Sequence, residues 1–142
     1  MIAADAAPFI FPTRVYWEDT DAGGVVYHAQ YLAFLERARS EWMRALGDGQ
    51  DAMRRAHDLV FVMRAMQVDF RRPARLDAVL SATVALRECR GASLVMAQDI
   101  RRGEELLLEA TVRIASLHAG SFRPRPIPEP LYERLKALEA RD

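Results

Sequence analysis

The side chains best suited to chemistry lie in one short segment near the N-terminus, EDTDAGGVVYH, residues 18–28. Asp21 precedes a run of small and apolar residues, and His28 stands seven positions later, where a strongly helical segment begins. A carboxylate in such surroundings can act as a general base or a nucleophile. Unpaired backbone N–H groups at a helix start can bind an anion or a developing oxyanion. The spacing therefore predicts a carboxylate and a histidine beside a helix N-terminus.

The same residues also have plain structural interpretations. An aspartate in a D-x-D-x-G-G stretch commonly forms an Asx-turn or caps a helix, and a lone histidine is more often a surface or packed residue. A calcium loop does not fit, because its fifth position would be Gly23 and its twelfth Gln30 in place of a bidentate glutamate. Cys89 is interpreted as a packed residue with no catalytic role.

Composition narrows the class of protein. The chain of 142 residues suits one domain, and its 51% hydrophobic and 28% charged residues are typical of a globular fold. The formal net charge is zero, so the chain has no overall positive charge to attract nucleic acid. A net charge near zero also weakly favours association into an oligomer. A single cysteine forms no intrachain disulfide. With neither a basic signal-like start nor a long apolar run, a cytoplasmic protein without membrane insertion is expected.

The elements that position these residues follow from periodicity. We expect an irregular N-terminal arm over 1–12, a short strand over 13–18 and a turn over 19–24. Apolar residues at intervals of three and four predict the principal helix over 29–46, and a second short helix is predicted over 50–57.

The remainder of the chain has a period of two. We read one strand face as Val60, Val62, Arg64, Met66, Val68 and Phe70. Three long strands joined by two glycine-containing turns then predict an antiparallel meander. A proline-rich stretch opens the C-terminal arm, 123–142, which ends in a helix over 131–140. Strands that follow one dominant helix indicate a single α+β domain, 1–142, with an antiparallel sheet around that helix.

The run RVYWEDTDAGGVVYHAQYLAFLERAR resembles the signature of the 4-hydroxybenzoyl-CoA thioesterase-like hotdog proteins. It is most similar to the bacterial acyl-CoA thioesterases associated with the Tol–Pal system of the cell envelope. The segments FVMRAMQVDFRRPARLDAVL and RGASLV also look like family segments, so the resemblance covers roughly residues 13–120. It implies a hotdog fold, an antiparallel sheet of five to six strands around one long helix. It also implies a homodimer joined edge to edge, often paired into a tetramer, with active sites at the interface.

The resemblance implies a role for particular residues. Asp21 stands at the position of the catalytic aspartate, and His28 at the position whose backbone N–H meets the thioester carbonyl. Arg90 and Ser93 fall in a segment that lies near coenzyme A in relatives. The predicted substrate-binding residues also include a glycine that lets the thioester approach the backbone and apolar residues on the acyl side: Gly24, Val25, Val26, Tyr27, Val60 and Val62. No metal or redox cofactor is implied.

Three functions remain open at this point. The first is hydrolysis of acyl-CoA or acyl-carrier-protein thioesters, with Asp21 as base or nucleophile. The second is a non-catalytic subunit of an envelope-associated complex that binds acyl thioesters. The third is a hotdog dehydratase, for which Glu36 on the helix offers thin support. The acyl chain length and the choice between dimer and tetramer are not determined.

Overall fold

The computed structural model describes residues 8–47 and 49–139. Five strands and three helices follow in the order β1 Phe9–Arg14, α1 His28–Ala45, α2 Gln50–His57, β2 Leu59–Phe70, β3 Val79–Arg90, β4 Ser93–Arg102, β5 Glu105–His118 and α3 Glu129–Leu138. None of the helices in these ranges is both long and apolar enough to cross a bilayer. The structure places the start of the last helix two residues before the predicted one, and its predicted final residue, Ala140, lies outside the described residues.

One antiparallel sheet has the strand order β1-β3-β4-β5-β2, and α1 packs against it. The stripe predicted from spacing is the buried face of α1, which includes Phe34, Leu35, Ala38 and Trp42. Their burial supplies much of the core, at about 2 kcal/mol for each large apolar side chain. The predicted α+β architecture, the two N-terminal helices and the meander β3-β4-β5 are therefore confirmed.

The prediction of an irregular arm over 8–12 was wrong, and residues 1–7 of that arm lie outside the described residues. Phe9–Arg14 pairs with β3 as an edge strand, with Pro12 opposite Ser81. An edge strand accepts proline because an N–H on its outer side needs no partner in the sheet. The predicted strand over 13–18 was too long, since Trp17–Asp19 forms a short 3-10 turn.

The predicted face of β2 was wrong in its first half. A bulge at Arg64 lets β2 pair Met63 with Ile114 and then Ala65 with Arg113. The extra residue reverses which side chains face the helix. Before the bulge Phe61 packs on the core; after it the predicted residues Met66 and Val68 do so. Val60 and Val62 consequently share the other face of the sheet.

The sheet has two ends, and α1 runs between them. Near the N-terminus of α1, the ring of Phe70 lies 5.8 Å from that of Tyr31, and the N–H of Val26 donates to the oxygen of Ala74 at 2.9 Å. The other end holds the start of β2 and the β3-β4 turn, where Arg90 pairs with Ser93. Because β3 has 12 residues, the two ends are separated by roughly 35 Å.

Candidate active site

A small antiparallel turn carries Asp21 to the start of α1. The N–H of Tyr27 donates to the oxygen of Asp19 at 2.9 Å, and the N–H of Asp21 donates to the oxygen of Val25 at 2.9 Å. Gly24 closes the turn through a bond from its N–H to the oxygen of Asp21 at 3.0 Å. Tyr27 is the N-cap of α1. Asp19 therefore lies opposite the helix start, and Asp21 is two residues, or about 7 Å, further along the same strand of the turn.

Two glycines permit this turn for different reasons. Gly24 has a φ of +79°, in the left-handed region that other residues adopt at a cost. Gly23 has no such φ, but a Cβ at its position would lie 3.2 Å from Oδ1 of Asp21. Gly24 therefore supplies the backbone conformation, and Gly23 leaves space for the carboxylate.

Two nearby carboxylates have distinct environments. Asp21 forms the Asx-turn considered above, since its Oδ1 accepts the N–H of Gly23 at 2.8 Å. Its side chain is exposed, and within the described part of the chain Oδ2 has no hydrogen-bond partner. Asp19 is only 5% exposed, and its Oδ2 accepts the N–H of Tyr16 at 2.8 Å. Asp19 supports the turn, whereas Asp21 keeps one oxygen available for a ligand.

The first turn of α1 begins without a side-chain cap and contains no acidic residue. The N–H of Gln30 donates to the oxygen of Tyr27 at 2.8 Å. Among residues 8–47 and 49–139, the N–H groups of His28 and Ala29 form no hydrogen bond. The positive end of the helix dipole adds to these two donors. The junction has the donors that an anion or an oxyanion would need, and its role in binding one stays a prediction.

Tyr31 is a further residue at this junction, for which the sequence predicted no functional role. Its hydroxyl accepts the N–H of Ala74 at 2.9 Å, and the ring is buried. Burial raises the pKa of Tyr31, and the negative charge of Asp21 raises it further. The hydroxyl therefore lies within the electrostatic reach of the Asp21 carboxylate. No local pattern predicts this contact, because Ala74 is 43 residues away.

The predicted substrate-binding residues of the first segment lie together at this junction. Val25 is half-buried, and Val26 is in the core with 4% exposure. Tyr27 is 49% exposed, and its ring centroid lies 4.5 Å from that of His28. An apolar and aromatic surface thus borders the open helix N-terminus.

The other predicted substrate-binding residues are elsewhere in the protomer. Arg90 and Ser93 are at the opposite end of the sheet from Asp21. Arg90 is exposed and pairs with Glu88. Val62 faces away from α1 because of the bulge described above. One protomer therefore does not unite these residues with Asp21 and His28.

A cavity of about 250 Å³ lies between α1, α2 and the sheet. Helix side chains and apolar strand residues line it: Glu36, Arg39, Met43, Gln50, Phe61, Met63, Leu94, Met96 and Ile114. Arg39 is only 8% exposed, and its Nη1 donates to Oε1 of Gln98 at 2.9 Å. Burial lowers the pKa of Arg39, and the charge of Glu36 opposes this effect. The burial of Arg39 was not predicted from the sequence.

Comparison with known proteins adds independent information. The profile of the thioesterase-like superfamily matches residues 15–135. The chain is 41% identical to acyl-CoA thioesterase YbgC of Haemophilus influenzae over 85% of this chain and 89% of that protein. It is 44% identical to acyl-CoA thioester hydrolase YbgC of Escherichia coli O157:H7, over 90% and 96% respectively.

Solved structures agree with the observed architecture. A probable thioesterase from Bartonella henselae has 40% sequence identity and a TM-score of 0.83, covering 86% of this chain and all of that one. A thioesterase-superfamily protein from Jannaschia sp. CCS1 has a TM-score of 0.90 at 15% identity, covering 99% and 98% of the two chains. The latter likeness concerns the fold alone. Together with the profile match, these similarities confirm the predicted hotdog fold.

Proposed function

Since this chain belongs to the thioesterase-like superfamily, we propose that it hydrolyses acyl-CoA thioesters to a free acid and coenzyme A. The observation that carries this proposal is the exposed Asp21 carboxylate, with one unoccupied oxygen, beside an uncapped helix N-terminus. The two relatives at 41% and 44% identity have names that agree with the predicted enzyme class.

The helix start is the proposed electrophilic half of the site. The thioester carbonyl oxygen would accept the N–H of His28, which lacks a protein acceptor among the described residues. Negative charge builds on this oxygen as the carbonyl carbon becomes tetrahedral. One such donor contributes roughly 3 to 4 kcal/mol to the transition state. The donor is a backbone group, so the imidazole of His28 is not required for this role.

Asp21 is the proposed source of the attacking oxygen. Its Oδ2 either removes a proton from water, which attacks the carbonyl carbon, or attacks that carbon directly and forms an anhydride that water then opens. In both routes the C–S bond breaks, the sulfur takes a proton, and the acid is released. Each route uses the free oxygen of Asp21. Gly24, Val25 and Tyr27 border the proposed position of the thioester.

A second protomer is part of the proposal. Strand β2 is 12 residues long and forms an edge of the sheet, a surface that pairs readily with another strand. Antiparallel pairing of two β2 edges about a twofold axis would bring the Arg90 end of one protomer beside the Asp21 end of its partner. Arg90 and Ser93 of the partner subunit would then reach coenzyme A. Light scattering should therefore give the mass of two protomers in solution, or of four if the dimers pair into a tetramer.

The finer assignments rest on the resemblance of the signature. We assign the protein to the group related to 4-hydroxybenzoyl-CoA thioesterase, place it in the cytoplasm and associate it with the Tol–Pal system. Acyl carrier protein is kept as an alternative thioester donor. Assays of the same acyl group on both carriers would decide between the two donors.

The test is release of coenzyme A from a panel of acyl-CoA thioesters, with His28→Pro and His28→Ala as a matched pair. Proline suits the first position of a helix, and Tyr27 already has φ −62° and ψ 133°, which precede proline without strain. Only His28→Pro removes the N–H. We expect it to lose about a hundredfold or more in kcat, while His28→Ala keeps most of its activity.

Three results would count against the proposal. Equal activity of the two His28 variants would exclude the N–H as the oxyanion donor. Binding of acyl-CoA without any turnover by the wild type would favour the non-catalytic subunit. Release of coenzyme A that persists in Asp21→Asn would exclude the carboxylate from the chemistry.

A further inference from the structure

Arg39 is a buried cation with a neutral partner. The residue is 8% exposed, and its one hydrogen bond within the described part of the chain joins Nη1 to Oε1 of Gln98. No carboxylate there lies within ion-pair distance of it. A buried charge without an opposite charge is costly, and arginine does not relieve this cost by losing its proton. The placement therefore requires an explanation.

Gln98 is bonded in a way that orients the arginine. Its Nε2 donates to the oxygens of Leu35 and Thr83, each at 3.1 Å, so its Oε1 is turned toward Arg39. The amide is thus held by a helix and by a neighbouring strand. This arrangement fixes one nitrogen of the guanidinium and leaves its other N–H groups without a protein acceptor among the described residues.

Arg39 is one of the residues that line the cavity of about 250 Å³. Most of its wall is apolar and comes from Met43, Phe61, Met96 and Ile114, among others. The volume equals that of roughly eight water molecules in the liquid. The cavity therefore has the size and lining for a chain of several methylene groups, with one cationic position in its wall.

We propose that Arg39 binds a carboxylate at the far end of the acyl group, so that thioesters of dicarboxylic acids are preferred over those of plain fatty acids. The inference rests on the proposed thioesterase function and names its substrate class. A guanidinium binds a carboxylate through two parallel hydrogen bonds, and the ligand would supply the directly contacting carboxylate that the described residues do not.

The position of Arg39 along α1 bears on the length of the acyl group. It stands eleven residues after His28, or about 16 Å along the helix axis. Helical side chains point back toward the N-terminus, which shortens the span to the proposed carbonyl position. A chain of medium length, such as suberyl, suits this separation better than succinyl.

Glu36 is the acidic group on the cavity wall. It is exposed and accepts a hydrogen bond from Oγ of Ser40 at 2.9 Å. Its repulsion of a bound carboxylate is screened because it lies in solvent. The competing explanation is purely structural: Arg39 and Gln98 would only tie α1 to β4, and substrate preference would not depend on them.

The experiment compares kcat/KM for matched pairs of thioesters with wild-type enzyme: hexanoyl- with adipyl-CoA, octanoyl- with suberyl-CoA, and decanoyl- with sebacyl-CoA. We expect the carboxylated member of at least one pair to be preferred about tenfold or more. Arg39→Met should reduce that ratio at least tenfold, and Arg39→Lys should retain part of it. Arg37→Met, an exposed arginine on the same helix, should leave the ratio unchanged.

Several outcomes would overturn the inference. One is a wild type that prefers the alkyl member of every pair. Another is an Arg39→Met variant that unfolds at lower temperature and loses activity equally on all substrates. A preference for ω-hydroxyoctanoyl-CoA over suberyl-CoA would show that Arg39 binds a neutral oxygen and not a carboxylate. If no thioester is hydrolysed, the proposed function fails, and the affinity of suberyl-CoA against octanoyl-CoA decides the inference separately.

Discussion

Two regions of the molecule hold an aspartate and a histidine, and they differ in how far their hydrogen bonds are satisfied. At the start of β2, Oδ2 of Asp58 lies 3.1 Å from Nδ1 of His118, and Oδ1 accepts the N–H of Gly120 at 3.2 Å. Asp58 also ends α2 in the left-handed conformation, with φ 51°. Both of its oxygens are in use, so this pair joins the end of a helix to the end of a strand.

The Asp21 region has the opposite character. Asp21 and His28 have no hydrogen bond to each other, and the aspartate uses one oxygen on Gly23. The free oxygen and the free N–H of His28 face no protein partner among the described residues. The pair in contact is thus the structural one, and the pair with unused donors and acceptors is the candidate active site. Unsatisfied capacity, more than proximity, distinguishes the two.

The largest effect should separate the two aspartates. Asp21→Asn keeps an acceptor for the N–H of Gly23 but loses the base or nucleophile, and we expect kcat to fall about a hundredfold or more. Asp58→Asn should leave kcat within about twofold, since both oxygens of Asp58 are already bonded within the protein and surface contacts of this kind contribute little. Steady-state release of coenzyme A measures both. Similar losses in the two variants would remove the distinction.

A smaller effect should come from crowding Asp21 without changing it. In Gly23→Ala the new Cβ would be 3.2 Å from Oδ1, so the carboxylate must move. We expect kcat to fall about tenfold, since a displacement of 1 Å can cost on the order of a hundredfold. Gly49→Ala is the matched control, because its Cβ would make only an ordinary contact, 3.8 Å from Cγ of Arg44. Full activity of Gly23→Ala would show that the carboxylate position is not critical.

Tyr31→Phe should affect stability more than chemistry. It removes the acceptor of the Ala74 N–H in a buried setting, which costs about 1 to 3 kcal/mol. Urea denaturation measures this loss, and Tyr16→Phe, at an exposed tyrosine, is the control. If Tyr31→Phe instead abolished turnover at unchanged stability, its hydroxyl would belong to the reaction.

The smallest effect concerns Asp58 and depends on pH. The hydrogen bond with His118 is the main cause that lowers the pKa of Asp58 in the folded protein. A lowered folded-state pKa stabilises the protein above the unfolded value, and this stabilisation is lost as pH falls through the folded value. Asp58→Asn should therefore have a slightly lower Tm than wild type at pH 7. The difference in Tm should shrink below about pH 4. A difference that stays constant with pH would show that the negative charge of Asp58 does not contribute to stability.

The sequence predicted much of the scaffold because its signals are local. Apolar spacing predicted α1 within one residue at each end, and glycine-containing turns predicted the meander β3-β4-β5. The turn before α1 was also readable, since Asp21 and Gly24 lie within a few positions of each other. Edge strand β1 was not predicted, because a proline such as Pro12 usually indicates that a segment is not a strand. Only the structure shows that the segment lies at the sheet edge, where proline is tolerated.

What the sequence by itself determined was α1, α2, the meander β3-β4-β5 and the placement of Asp21 shortly before the start of α1. These features depend on residues less than ten positions apart. Only the tertiary structure decided that Arg64 bulges and turns Val62 away from the helix, and that Arg90 lies at the far end of the sheet. Packing also brought Arg39 to Gln98, 59 residues away. Such contacts arise from strand register and helix docking, which depend on the whole core. Local sequence patterns therefore do not predict them.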